Sequence, residues 1–93
     1  SDRIQNFPTA RSQALLAAGK ADPQALLNQL GLSDSQIAGV DTTDGLRMTL
    51  TDGRIVHLRP SGNAPELRCY AEAESAASAK SCVDLVLSAV LRL

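Results

Sequence analysis

Aromatic side chains are nearly absent from this chain: Phe7 and Tyr70 are the only two, and there is no Trp. That leaves no platform on which successive nucleic-acid bases could stack. An excess of positive charge is missing as well. Nine Lys and Arg face ten Asp and Glu, for a net charge of −1, so no overall basic field exists to hold a polyanion. Cysteine is scarce. Cys69 and Cys82 are too few for a disulfide framework, and with His57 as the single histidine a zinc cluster is not expected. A reducing cytoplasm is the expected compartment. No apolar run approaches the length that spans a bilayer, so neither a membrane nor a nucleic acid is an expected partner. The polar start Ser1-Asp2-Arg3 lacks both an initiator Met and a signal-peptide pattern, which suggests a piece of a longer protein.

What is present describes an ordinary globular chain. With 93 residues, 44% hydrophobic and 20% charged, it can build one small domain around one core, not two. Residues 1–20 read as a linker or edge segment leading in, and residues 21–93 as the domain. Within the lead-in, Thr9 to Ala18 is helical by local propensity, and Gly19-Lys20 is expected to end that helix. Asp22-Pro23 is a sharper start signal: Asp caps a helix N-terminus and Pro suits its first position. Leu26, Leu27 and Leu30 share one face, and Gly31 suits the left-handed exit, so a short amphipathic helix is expected over about 22–31. Ile37 to Asp41 is read as a short edge strand.

From Leu46 onward the period changes to two. Leu46, Met48 and Leu50 alternate with Arg47 and Thr49, then Val56 and Leu58 alternate with Ile55, His57 and Arg59. Turn length decides which faces meet. A two-residue Asp52-Gly53 loop would set Val56 and Leu58 on the face of Thr49. A three-residue loop, Thr51-Asp52-Gly53, pairs Met48 with Val56 and Leu46 with Leu58. The second choice gathers the apolar residues and is preferred. It leaves Arg47, His57 and Arg59 on the opposite, open face. A third strand puts Leu67, Cys69, Ala71 and Ala73 on one side and Glu66, Arg68, Tyr70 and Glu72 on the other. A helix follows, capped by Ser75, with Ala79, Cys82, Val83, Val86, Val90 and Leu93 at helical spacing. The expected fold is α+β: an antiparallel sheet of about four strands with two helices on one face.

The chemistry concentrates between the last two strands, in Arg59-Pro60-Ser61-Gly62-Asn63-Ala64-Pro65. Arg59 offers a planar fork that matches phosphate oxygens in pairs. Ser61 and Asn63 bring donors, and Gly62 can take positive φ, so that successive N–H groups could curl into an anion nest. Pro60 and Pro65 stiffen the ends, and Arg68 adds positive potential nearby. The plainer alternative is a surface turn in which Gly, Asn and Pro only reverse the chain. Elsewhere, His57 could join the phosphate site but reads rather as a half-exposed strand residue with no special duty. Glu66 and Glu72 could be an acid–base pair but are better placed to hold arginines. Asp41, Asp44 and Asp52 invite a metal site but occur where Asp serves turns. Ser61 has no base beside it, so no catalytic set is expected in this chain.

The loop and its flanking strands resemble the C-terminal phosphate-binding region of the α-D-phosphohexomutases of the phosphomannomutase/phosphoglucomutase type. That loop typically reads R-P-S-G-T-E-P and leads into a strand like L-R-x-Y-x-E. Arg59, Pro60, Ser61, Gly62, Pro65, Leu67, Arg68, Tyr70 and Glu72 match. Asn63 stands where Thr is usual and Ala64 where Glu is usual; Asn keeps a donor. The similarity extends upstream to Asp44-Gly45-Leu46-Arg47 and Asp52-Gly53. It implies a four-stranded antiparallel sheet and extended chain near residues 9–18. It also implies a parent enzyme that moves a phosphoryl group between positions of a hexose phosphate, through a phosphoserine and Mg²⁺ on other domains. This domain would hold the phosphate not reacting, through Arg59, Ser61, Gly62 and Asn63, supported by Pro60 and Arg68. Its partners would be the phosphosugar and the other domains, with no cofactor or metal of its own. A stand-alone, phosphate-independent protein-interaction module is the alternative.

Overall fold

A computed structural model describes all of residues 1–93. The elements run β1 (Asp2–Ile4), α1 (Thr9–Ala21), α2 (Pro23–Gln29), β2 (Ile37–Asp41), β3 (Leu46–Leu50), β4 (Ile55–Pro60), β5 (Leu67–Glu72) and α3 (Ala76–Leu91). The strands form one antiparallel sheet in the order β1-β5-β4-β3-β2. The expected α+β layering is therefore present, with a fifth strand and a third helix. Both additions come from the first 21 residues.

The β3–β4 hairpin has the register that a three-residue turn requires. Leu46 lies opposite Leu58 and Met48 opposite Val56. The Leu50 N–H donates to the Arg54 carbonyl at 2.8 Å, and Gly53 adopts φ +93°. This register places Leu46, Met48, Leu50, Val56, Leu58, Leu67 and Cys69 on one buried face. The helices cover that face: α3 contributes Val83, Val86 and Val90, α2 Leu26 and Leu27, and α1 Leu15 and Leu16, all buried. A strand that alternates strictly has only one apolar side, so the other side of the sheet stays open.

Local signals set most helix ends. Asp22 accepts from the Ala25 N–H at 3.1 Å as the cap of α2. At its far end the Gly31 and Leu32 N–H groups donate to the Asn28 and Leu27 carbonyls, with Gly31 at φ +85°. This is a Schellman closure, and Leu32 is tucked into the core beyond it. Ser75 caps α3 by accepting from the Ser78 N–H at 3.0 Å. That helix ends at Leu91, two residues short of the last position in the apolar spacing, and Leu93 is exposed.

The helix read from local propensity at Thr9 to Ala18 is present, and the extended chain implied by the resemblance is not. The expected end at Gly19-Lys20 also fails, because α1 runs on to Ala21. Gly19 serves close packing instead of termination: a Cβ there would come within 2.3 Å of a Leu46 methyl and 2.6 Å of a Leu26 methyl. Asp22-Pro23 makes the break. Ahead of α1, β1 pairs with β5 at the edge of the sheet, and Phe7 is buried with the Arg11 guanidinium over its ring.

Candidate functional site

The open face of the sheet is ordered in rows by the strand register. In the first row Arg3 of β1 lies opposite Arg68 of β5, which lies opposite Arg59 of β4. Like charges placed directly across strands repel, and two carboxylates relieve that. The Glu66 side chain, only 14% exposed, sits 3.8 Å from Arg68 Nε and 4.0 Å from Arg3 Nε. Asp44 approaches Arg59 Nε at 3.1 Å. Arg68 Nε has no hydrogen-bond partner, so Glu66 acts on it through charge. In the next row Asp41, Arg47, His57 and Tyr70 follow one another across β2, β3, β4 and β5. His57 Nε2 donates to the Asp44 backbone carbonyl, and its ring is tilted 42° against Tyr70 at 5.8 Å. Glu72 pairs with Arg47 at 3.4 Å. The two glutamates thus hold arginines.

The loop after β4 is closed at its base by the Ser61 N–H donating to the Glu66 carbonyl at 3.1 Å. The Glu66 N–H donates to the Ala64 carbonyl at 2.8 Å, and the Phe7 N–H ties Pro65 to the first segment at 2.7 Å. Asn63 N–H reaches Ser61 Oγ at a long 3.4 Å. The N–H groups of Gly62 and Ala64 have no acceptor within the protein. The nest expected at Gly62 does not form through a positive φ: such values occur at Asn6, Gly31, Gly45 and Gly53. Hydrogen bonds at the loop base reverse the chain without it. A Cβ on Gly62 would meet nothing within 4 Å, so the loop's own packing does not require glycine there.

The concave side of the loop opens into a cavity of about 460 Å³ lined by Pro60 to Pro65 together with Thr9 and Gln13. Thr9 is the first residue of α1, so the positive end of that helix lies at the cavity. The structure therefore brings Ser61, Gly62 and Asn63 to one wall. The guanidinium of Arg59 lies instead on the sheet face, half exposed, with Asp44. Thr9 and Gln13 carry no sequence signal for this placement, because only the packing of α1 on the sheet puts them there. The Asp44 contact was legible in principle: once Leu46 faces Leu58, Gly45 and Asp44 come level with Arg59.

The other acidic candidates serve turns. Asp41 accepts from the Thr43 N–H at 2.8 Å, which pulls its carboxyl below the usual carboxylate range. Asp52 accepts from the Arg54 N–H at 3.0 Å and pairs with the Arg54 side chain, with the same effect. No three His, Cys, Asp or Glu side chains converge in one group. Cys69 and Cys82 are free thiols, both buried. No helix is long and apolar enough to cross a membrane.

A two-layer α+β domain with a donor-bearing loop between its last two strands is the class defined by this fold and site. Residues 6–89 match the family model described as phosphoglucomutase/phosphomannomutase, C-terminal domain. The chain is 46% identical over 88 residues to a phosphomannomutase of Salmonella muenchen, an alignment covering 95% of this chain and 18% of that protein. It is 53% identical over 77 residues to a phosphomannomutase of Sinorhizobium fredii (strain NBRC 101917 / NGR234), covering 80% of this chain and 15% of that one. The chain belongs to the family of C-terminal domains of phosphoglucomutases and phosphomannomutases. It spans less than a fifth of the length of these relatives.

Proposed function

We propose that this domain grips the phosphate of a hexose phosphate that is not reacting while a phosphohexomutase transfers the other phosphoryl group. The observation that carries this reading is the loop cavity. Two backbone N–H groups without protein acceptors, at Gly62 and Ala64, stand beside the Ser61 hydroxyl and the Asn63 amide. Unpaired donors and a helix N-terminus at one concavity suit an anion. Gly62 leaves room for close approach of a ligand to the backbone. The Arg59 side chain is half exposed and tethered through Nε alone, so its remaining N–H fork is available for two phosphate oxygens. Arg68 adds positive potential from the neighbouring strand.

The chain's own contribution is binding and orientation. Holding the remote phosphate converts binding energy into correct placement of the reacting end. Asp41, Asp44, Asp52, Glu66 and Glu72 are committed to turns and arginines, and the general acid, the phosphoryl carrier and the Mg²⁺ belong to other domains in this reading. A cytoplasmic location accords with the two free cysteines.

Charge-assisted hydrogen bonds net ~1.5–3 kcal/mol each, and association and ordering consume much of that on an open surface. The expected dissociation constant for the 93-residue chain is therefore ~1 mM or weaker. Amide NMR shifts during titration with glucose 1-phosphate, against glucose at equal concentration, test the proposal. Saturable shifts centred on Arg59 to Asn63, absent with glucose and lost in Arg59→Ala, are expected. Equal responses to both sugars, or none at this loop, would overturn it and favour a phosphate-independent protein-interaction module.

A further inference from the structure

The guanidinium assigned to the phosphate already has a partner, and the structure builds that partner into place. Asp44 Oδ1 lies 3.1 Å from Arg59 Nε. The turn carrying Asp44 is fixed from three sides. Gly45 adopts φ +79°, and a Cβ there would lie 2.3 Å from the Leu58 carbonyl oxygen and 3.2 Å from Arg59 Cα. The turn therefore rests directly against the backbone of β4 at Arg59. His57 Nε2 donates to the Asp44 carbonyl from the same strand. Upstream, the Asp41 carboxylate accepts from the Thr43 N–H at 2.8 Å.

We infer that Asp44 is a resident counter-anion of the phosphate grip, one that sets its affinity low by charge. This rests on the phosphate-gripping reading of the loop and adds the residue that limits it. Both side chains of the pair are well exposed, at 46% and 60%. Such a pair holds weakly. It positions Arg59 through Nε and leaves the Nη edge to a ligand. Its negative charge, beside the guanidinium that would meet the phosphate, opposes the ligand, and does so in proportion to ligand charge. Without Asp44 the cross-strand row Arg3, Arg68 and Arg59 would carry three positive charges against Glu66 alone. That surface would hold a phosphate more tightly than a remote grip needs if it must also release.

Asp44→Asn separates charge from shape, because it removes the negative charge beside Arg59 Nε and keeps the size of the side chain. Inorganic phosphate is titrated into the 93-residue wild type, Asp44→Asn and Asp44→Glu, with the shifts of residues 59–63 as readout. Asp44→Asn is expected to tighten binding by about three- to tenfold. Asp44→Glu, which restores the charge, should return towards wild type, and the gap between wild type and Asp44→Asn should narrow with added salt. A purely structural role for Asp44 would show neither the rescue nor the salt dependence. Shifts in Asp44→Asn alone also support the inference. Binding in wild type with equal or weaker binding in Asp44→Asn overturns it and leaves the grip intact. No shifts in any of the three proteins overturn both.

Discussion

Two glycines that look alike in the chain do opposite work. Gly45 needs its missing Cβ twice, for φ +79° and because a Cβ there would collide with the Leu58 carbonyl oxygen. Gly45→Ala is expected to destabilise the fold by ~1–3 kcal/mol, through left-handed strain and displacement of the turn. A lower urea midpoint at unchanged slope would register it. Gly62 has an ordinary φ and open space around it. Gly62→Ala should leave the unfolding free energy from urea titration within ~0.5 kcal/mol of wild type, yet weaken the glucose 1-phosphate response by filling the approach to the loop. A large loss of stability in Gly62→Ala would show that the glycine serves the fold and not the ligand.

At the scale of elements, the junction of β5 with α3 carries a titratable burden. Burial pushes the Cys69 thiol from its ordinary value of 9.0 up to about 12, with Cys82 adding to the effect, and burial raises Cys82 as well. The folded state holds the proton more tightly than the unfolded chain. The thiol's contribution to stability is therefore full below pH 9 and declines as pH rises from 9 towards 12. The steepest loss is ~1.4 kcal/mol per pH unit. Urea midpoints measured across this range should fall more steeply for wild type than for Cys69→Ala, which loses some packing at neutral pH but lacks the titration. Parallel slopes would mean that Cys69 ionises as easily in the fold as out of it. Most of the elements were legible because their signals are local. The turn Thr51-Asp52-Gly53, the Ser75 cap and the Gly31 closure are each settled by residues within one or two turns. β1 was not: Asp2-Arg3-Ile4 is short and mostly polar, and becomes a strand only because β5 offers an unpaired edge.

For the molecule as a whole, the question is whether residues 1–20 lead into the domain or complete it. We propose that residues 1–8 are needed for full stability. They contribute β1 along the edge of β5, the hydrogen bond from Phe7 to Pro65, and Phe7 itself at 3% exposure. Losing a buried Phe alone costs ~3–5 kcal/mol, a large part of the stability of a small domain. A chain lacking residues 1–8 should therefore melt at a markedly lower temperature. It should also tend to associate through the freed edge of β5, visible in size-exclusion chromatography. An unchanged melt would return these residues to the role of a linker.

The sequence alone determined the two-layer α+β plan, the register of the central hairpin, the caps of α2 and α3, and the loop that carries the family's donors. The plan, the register and the caps follow from side-chain period and turn chemistry over a few residues, where backbone geometry leaves few choices; the loop stood out by its resemblance to the family motif. Only the tertiary structure decided that α1 continues through Gly19, since a glycine ends or continues a helix according to what packs against it. It also decided that the N-terminus of α1 lies at the loop cavity and that Asp44 meets Arg59 across the sheet. Those placements depend on contacts between residues far apart in the chain, whose energies no local pattern records.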